Sequence, residues 1–349
     1  MILRPILDNE KDLFNSVVTH PLQSWEWGDF KEKEGATVER VGFFEGNKLK
    51  KAIQVFFHKL PYTSSTIGYF PKGVMPDDDQ ISALRQLAEQ NKAITIKLEP
   101  NVCQSLDRIS AFDSIQAFLK KEGCVPGKAL FTRYTFLLPL KGTEEELMAK
   151  LKTKTRYNVH LAQKKGVEIV ENTTEAGMEA HLEILAETTK RQGFYAHTPS
   201  YFKEMWKSLG KSDMLRIFEA KYEGKVLTSW IIFVFHDTLY YPYGSSRSEN
   251  RDVMASNLMM WEMIRLGKSL DLQTFDMWGA LGPDPDPKDP WFGFHRFKQG
   301  YGGDLSEFLG TYDLVINPSM YRIYNIADTF RWKVLRTKAA IRRMIPNSK

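Results

Sequence analysis

Lys298 stands in the chain among Trp291, Phe292, Phe294, Phe297 and Tyr301. A lysine so surrounded sits in poor solvent, where its field on a nearby developing anion is strong; the plainer alternative is an exposed lysine after a loop. Glu99 closes an apolar stretch as Lys97-Leu-Glu-Pro100, which places its carboxylate either to bind an amine or to pair with Lys97. Lys152, Lys154, Arg156, Lys164 and Lys165 make a basic stripe at helical spacing, suited to phosphates or simply to water. Residues 320–349 carry eight cations against a single acid, Asp328, a balance of +7; the rest of the chain therefore carries −2 of the total +5. That tail is either a phosphate-binding surface or a helix docked through Tyr321, Tyr324, Phe330, Val334 and Ile341 with its charges solvated.

Other chemistries lack their residues. Gly210-Lys-Ser212 and Gly267-Lys-Ser269 look like the end of a phosphate-binding loop, yet neither lysine has a glycine five residues before it. There is no Gly-x-Ser-x-Gly and no His-Glu-x-x-His, and the seven histidines are widely scattered. Metal hydrolysis and Ser-His-Asp chemistry are without support.

The elements that must position these groups come as a repeated unit. Glu45-Gly-Asn-Lys-Leu-Lys-Lys-Ala-Ile-Gln-Val-Phe-Phe-His58 aligns without gaps on Glu223-Gly-Lys-Val-Leu-Thr-Ser-Trp-Ile-Ile-Phe-Val-Phe-His236. Each copy reads as strand, Glu-Gly turn and strand, a hairpin signature. Before the second hairpin two helices are expected, one opening with the capping box Thr143-Glu-Glu-Glu146 and one over Gly177 to Arg191. After it come a strand from Thr238 to Tyr243, a helix from Ser256 to Leu270 and a strand from Thr274 to Trp278. The first copy is parallel, with a helix at Trp25 to Glu34, a strand at Ser64 to Phe70, a helix at Asp79 to Asn91 and a strand at Ala93 to Leu98. This order resembles the GNAT acyltransferase unit. The expectation is a mixed α/β (α+β) protein with GNAT-like domains over 1–130 and 131–308, and a segment 309–349 that returns to the first domain and ends in a basic helix.

With 349 residues, 42% hydrophobic and 13% aromatic, the chain suits a globular protein with more than one core. Its longest strictly apolar run, Trp230 to Phe235, is far shorter than the roughly 20 residues of a membrane span. Asn9-Glu10-Lys11 falls where a secretion signal would need apolar residues, and Cys103 and Cys124 stand in no metal or redox spacing. A cytoplasmic protein is expected, with both cysteines as packing residues.

A GNAT enzyme that uses CoA holds the pyrophosphate on a Gly-rich loop at a helix start. The corresponding stretch, Gly244-Ser-Ser-Arg-Ser-Glu-Asn-Arg-Asp-Val-Met-Ala-Ser256, has Met254 and Ser256, or Asn250 and Asp252, where small residues belong. Eight segments instead resemble the FemABX family of peptidoglycan aminoacyltransferases. They are Gln23-Ser-Trp-Glu-Trp-Gly-Asp-Phe-Lys31, Tyr69-Phe-Pro-Lys-Gly73, Lys97-Leu-Glu-Pro100, Lys154-x-Arg156-Tyr-Asn-Val-His-Leu-Ala162-x-Lys164-x-Gly166 and Arg191-x-Gly-Phe-Tyr195, followed by Tyr241-x-Tyr-Gly-Ser-Ser246, Phe275-Asp-Met-Trp-Gly279 and Phe297-Lys-x-Gly-Tyr301. The resemblance spans nearly the whole chain. It departs at Val74, where the family usually has Pro, and in lacking the helical-hairpin arm of some members.

The resemblance implies attack of a precursor amine on the ester that joins an amino acid to the tRNA 3′ end. No cofactor is needed, with aminoacyl-tRNA as co-substrate. Phe297 and Lys298 resemble the family's catalytic pair, implied in stabilising negative charge. Lys31 and Arg191 resemble acceptor-phosphate ligands, Lys72 belongs to the acceptor site, and Tyr195, Tyr241 and Tyr243 resemble tyrosines of the acceptor cleft. Glu99 resembles a family carboxylate and is expected to bind substrate. Lys154, Arg156, Lys164, Arg336, Arg342 and Arg343 are candidates for tRNA contact. Loss of Lys298 is expected to slow turnover and spare the fold. The expected partners are aminoacyl-tRNA, a UDP-linked or lipid-linked muropeptide and, through the tail, an anionic membrane at its inner face, with the protein a monomer. Two alternatives stay open, an acyl-CoA-dependent N-acyltransferase and a non-catalytic duplication that binds tRNA or membrane.

Overall fold

The computed structural model describes residues 1–106 and 112–329. Two mixed sheets form the body. The first has seven strands in the spatial order Ile2–Pro5, Thr37–Glu45, Lys48–Lys59, Thr66–Pro71, Ala93–Glu99, Tyr312–Val315 and Cys124–Pro126. The second has eight, in the order Cys103–Ser105, Asp304–Phe308, Tyr134–Pro139, Thr274–Asp276, Thr238–Ser246, Lys225–Phe235, Leu215–Tyr222 and Glu168–Glu171.

The repeated unit is present in both. Each hairpin leads to a third antiparallel strand, a helix, and a strand parallel to that third one: Thr66–Pro71, Asp78–Gln90 and Ala93–Glu99 in the first sheet, Thr238–Ser246, Ala255–Ser269 and Thr274–Asp276 in the second. The turns fall at Gly46-Asn47 and at Glu223-Gly224, one residue apart in the ungapped alignment. The Thr143 box forms as read, with Glu146 N–H donating to Thr143 Oγ1 at 3.2 Å and Thr143 N–H to Glu146 Oε2 at 2.9 Å. Four helices, not two, precede the second hairpin: Glu144–Lys150, Thr153–Lys164, Glu175–Gln192 and Pro199–Leu209. The last, opened by Thr198 and Pro199, was not anticipated.

It is this helix that joins the halves. Ser24 Oγ caps the helix Trp25–Lys33, accepting from Trp27 N–H at 3.1 Å, and fixes which face turns inward. Phe30 then meets Tyr201 edge-on at 4.9 Å, Trp27 meets Phe233 at 6.2 Å, and Lys33 pairs with Glu204 at 2.8 Å. One apolar core therefore runs through both halves, from Phe14, Trp25 and Phe30 to Phe202, Met205, Ile231 and Phe233. Truncating fully buried Phe30 to Ala would cost about 3–5 kcal/mol. Two further cores lie under the helices Asp78–Gln90 and Ala255–Ser269.

A β-bulge governs one face of the second sheet. Ile231 pairs with Tyr243 but Phe233 with Tyr240, so Tyr241 and Pro242 together oppose Ile232. The extra residue breaks the alternation that would have put Tyr241 and Tyr243 side by side.

Candidate active site

A cleft of about 250 Å³ opens where the chain passes from the first sheet to the second, lined in part by Lys72, Glu99, Phe131, Arg133, Phe308 and Thr311. Lys72 follows the strand Thr66–Pro71 in a left-handed conformation, φ 51°. Its N–H donates to the Glu99 carbonyl at 2.7 Å, which holds the turn against the parallel strand. The side chain is 2% exposed. Its ammonium lies 3.0 Å from the centre of the Phe308 ring and 4.1 Å from that of Phe131, with no hydrogen bond or ion pair among the described residues. Burial pulls its pKa down to about 8, opposed in part by Asp276 and Glu99.

Glu99, in contrast, is fully engaged by protein. Oε1 accepts from Leu130 N–H at 2.8 Å, Phe131 N–H at 3.0 Å and Thr311 hydroxyl at 2.5 Å, and Oε2 from Tyr69 hydroxyl at 2.5 Å. These bonds bolt the crossing segment to the first sheet and aim Phe131 at Lys72. Lys97 does not pair with Glu99. It pairs at 2.7 Å with Asp313, which stands directly opposite on the neighbouring strand.

Lys298 lies in the helix Phe292–Gln299 and is completely buried, 3.6 Å from the Phe294 ring centre and 5.3 Å from that of Tyr241. Its ammonium donates to the carbonyl oxygens of Met277, Trp278 (3.0 Å) and Gly279 (2.9 Å). Three donors meet three acceptors, so no N–H is left for a ligand. Burial drives its pKa well below the usual lysine range, with Asp276 partly offsetting. The loop it holds is strained, since Trp278 has φ 53°, a left-handed conformation costing about 1–3 kcal/mol for such a residue. Asp276, just before it, accepts from Thr135 hydroxyl at 2.5 Å and Trp278 N–H at 2.8 Å; burial raises its pKa. The Trp278 ring packs on His20, Phe131, Phe233 and Tyr240, on the shared core. Phe297 is half-buried against Trp230 and Tyr301.

Lys31 occupies a second cation site. It is half-buried, with its ammonium 5.1 Å from the Phe30 ring centre and 5.4 Å from that of Tyr201, and makes no ion pair or hydrogen bond among the described residues. Burial lowers its pKa, and its charge adds to burial in lowering those of His58 and His197. His197 stacks on Tyr201 at 3.8 Å. Burial pushes Tyr243 up to about 12.

The remaining expected residues are dispersed. Arg191 shares no contact with Lys31 among the described residues; it donates to Ser246 O at 2.8 Å and Ser248 Oγ at 2.9 Å and lies 3.7 Å from Glu187. Tyr195 is 85% exposed in the loop after the helix Glu175–Gln192. Tyr241 is buried on the far side of the bulge, stacked on Trp230 at 3.8 Å, while Tyr243 faces Phe202 at 5.0 Å. Of the basic stripe, Lys154 and Lys164 are exposed and Arg156 donates to Ala149 O at 3.3 Å. Arg336, Arg342 and Arg343 lie outside the described residues. His20, Phe131, Tyr201 and Phe308 gave no sequence signal, while His58, Asp276 and Trp278 lay inside quoted segments without a role.

Neither helix start is shaped for a pyrophosphate. The helix Ala255–Ser269 is preceded by Asn250 and Met254, both left-handed and both bearing side chains, with Met254 packed on the core. The helix Asp78–Gln90 begins with Asp77, Asp78 and Asp79, and the Asp77 carboxylate accepts from Gln80 N–H at 3.0 Å, where an anion would otherwise bind.

A model of the FemAB family matches residues 9–223 and 212–329. The lipid II:glycine glycyltransferase of Staphylococcus haemolyticus is 25% identical over 91% of this chain and 94% of its own length. The protein of that name from Staphylococcus aureus (strain USA300) is 23% identical over 91% and 94%. The crystal structure of FemX superposes with a TM-score of 0.82 at 21% identity, covering 93% of this chain and 99% of that one. A tandem GNAT protein from the clavulanic acid biosynthesis pathway gives 0.53 at 12% identity, covering 89% and 97%. The fold is that of two tandem GNAT-like units.

Proposed function

The chain belongs to the FemAB family, and from that membership we propose that it transfers an amino acid from aminoacyl-tRNA to an amine of a peptidoglycan precursor, forming a cell-wall cross-bridge. Its Staphylococcus relatives carry the name lipid II:glycine glycyltransferase, which supports aminoacyl transfer and favours a lipid-linked over a nucleotide-linked acceptor. The protein then works as a monomer at the inner face of the membrane. Among the described residues no helix is long and apolar enough to cross the membrane, so contact with the surface falls to groups such as the basic tail.

The ester supplies the activation. What the protein must supply is orientation of amine and ester, and positive charge where the carbonyl oxygen becomes negative. The observation that carries the reading is the buried ammonium of Lys72 in the seam cleft, without a hydrogen bond among the described residues, together with two helix starts that lack a pyrophosphate cradle. Lys31, which makes no ion pair among the described residues, suits a phosphate of the acceptor. The same helix starts weigh against acyl-CoA.

Incubation with a pool of labelled aminoacyl-tRNAs and purified UDP-linked and lipid-linked precursors tests this. A precursor mass increased by one amino-acid residue is expected. No increase with any aminoacyl-tRNA, together with acylation from acyl-CoA, would favour the CoA reading instead.

A further inference from the structure

We propose that the outward face of the helix at residues 318–329, formed by Ile323, Ile326 and Ala327, seats on an anionic bilayer and holds the cleft at the membrane surface. This rests on the reading above that the acceptor is lipid-linked.

The helix has two faces in different surroundings. Met320, Tyr321, Tyr324 and Asp328 recur at helical spacing and are partly buried against the body. Asn317 caps the start, its Oδ1 accepting from Met320 N–H at 3.0 Å. Tyr321 hydroxyl donates to Asp313 Oδ2 at 2.7 Å, and Lys128 pairs with Asp328 at 3.1 Å. Ile323, Ile326 and Ala327, at positions i, i+3 and i+4, share the other side and are exposed. Ile323 is 60% exposed and Ile326 72%.

Charge and chemistry identify what covers this face. Arg322 beside it is exposed, while Asp328, the one acid of residues 318–329, is turned to Lys128. Beyond the described residues, the sequence 330–349 adds seven cations and no acid, and Phe330 and Val334 continue the spacing of 323, 326 and 327. Apolar side chains in one stripe, with lysines and arginines around them, are what a helix lying in a bilayer interface needs. RNA phosphates would take the cations and offer nothing to two isoleucines. A second copy of the chain would bring the same positive charge against itself. Acyl chains take the isoleucines and anionic head groups the cations, and the two signals together anchor more firmly than either alone.

The anchor is tied to the cleft. Asp313 also pairs with Lys97, two residues before Glu99, and Lys128 lies between the cleft residues Gly127 and Ala129. Both attachments of the helix therefore end on cleft walls. A bilayer under Ile323 and Ile326 fixes the cleft relative to the lipid surface, and an acceptor held in that surface by its own lipid meets it at raised effective concentration.

Sedimentation of the full-length protein with vesicles of phosphatidylglycerol and phosphatidylcholine in equal parts, or of phosphatidylcholine alone, tests this with the double variant Ile323→Asn, Ile326→Asn. It should bind the anionic vesicles at least about tenfold more weakly at an unchanged salt slope, because it removes apolar contact and no charge. Ile326→Trp should bind them more tightly. Transfer to a lipid-linked precursor should fall by a similar factor in those vesicles and stay at the wild-type rate in neutral detergent micelles. The urea unfolding midpoint should not move, since both positions are exposed; if the double variant does not fold, Ile326→Trp decides. A wild type that does not sediment with anionic vesicles, or a double variant that binds them as the wild type does, would overturn the proposal. So would loss of tRNA binding without loss of vesicle binding, or an equal fall of transfer in vesicles and micelles. A wild type that transfers nothing from any aminoacyl-tRNA overturns the aminoacyl-transfer reading, and vesicle binding still decides the membrane face.

Discussion

Lys298 donates to the carbonyl oxygen of Gly279 at 2.9 Å, closing a cage of three successive carbonyls around a fully buried ammonium. Sequence reading expects Lys298 to be dispensable for folding; this geometry does not. Lys298→Met leaves three buried carbonyls without a donor and frees a left-handed Trp278. Destabilisation of about 3 kcal/mol or more is expected in urea unfolding, alongside reduced turnover. An unchanged unfolding midpoint would show that the cage does not hold the loop.

Among the described residues Lys31 makes no ion pair or hydrogen bond, and only the nearby Glu34 opposes the effect of burial on it, so its ammonium can meet a phosphate. Lys31→Ala should raise the precursor concentration for half-saturation about tenfold, roughly 1.4 kcal/mol, with little change in turnover. Arg191→Ala should have a smaller effect, because its guanidinium is held by Ser246, Ser248 and Glu187. Depressed turnover at unchanged half-saturation would contradict both binding roles.

His181 is fully buried, with Nδ1 3.1 Å from Ser229 Oγ, and burial lowers its pKa to about 4. Between that value and the ordinary 6.5 the unfolded chain binds the proton and the folded one does not, so stability rises with pH across this window. Acidification from pH 6.5 towards 4 should remove roughly 3 kcal/mol at this residue. His20, also buried and lowered, acts in the same sense. Urea unfolding from pH 4 to 7 should show a shallower slope in His181→Gln; an identical slope would refute the assignment.

The basic tail can be tested without its structure. If Arg336, Arg342 and Arg343 meet phosphates, reversing all three to Glu should weaken binding and flatten its salt dependence, by about 0.9 in log–log slope per lost contact on duplex nucleic acid. Binding to tRNA and to anionic vesicles should be measured separately. Unaltered slopes in both would leave the tail as a solvated docking helix.

Much of the fold was legible because it is written locally. The capping box at Thr143, the helical spacing over Gly177 to Arg191 and the two hairpins each depend on neighbours a few residues apart, where periodicity and turn chemistry act. The duplicated hairpin announced two related units for the same reason. A cation in poor solvent at Lys298 was also foreseeable from the aromatics around it.

What the chain order could not reveal is which partner each polar atom meets. Tyr241 and Tyr243 were both expected in the acceptor cleft, and a single bulged residue sends them to different cores. Glu99 was open to an amine or to Lys97, but Thr311 meets Glu99 and Asp313 meets Lys97, each more than 200 residues later in the chain. The cage of Lys72 needs Phe131 and Phe308, brought together only when the crossing segment is bolted to Glu99. Local sequence sets backbone form, while the state of a buried charge depends on every group within a few ångströms, and that neighbourhood exists only once the two sheets have packed.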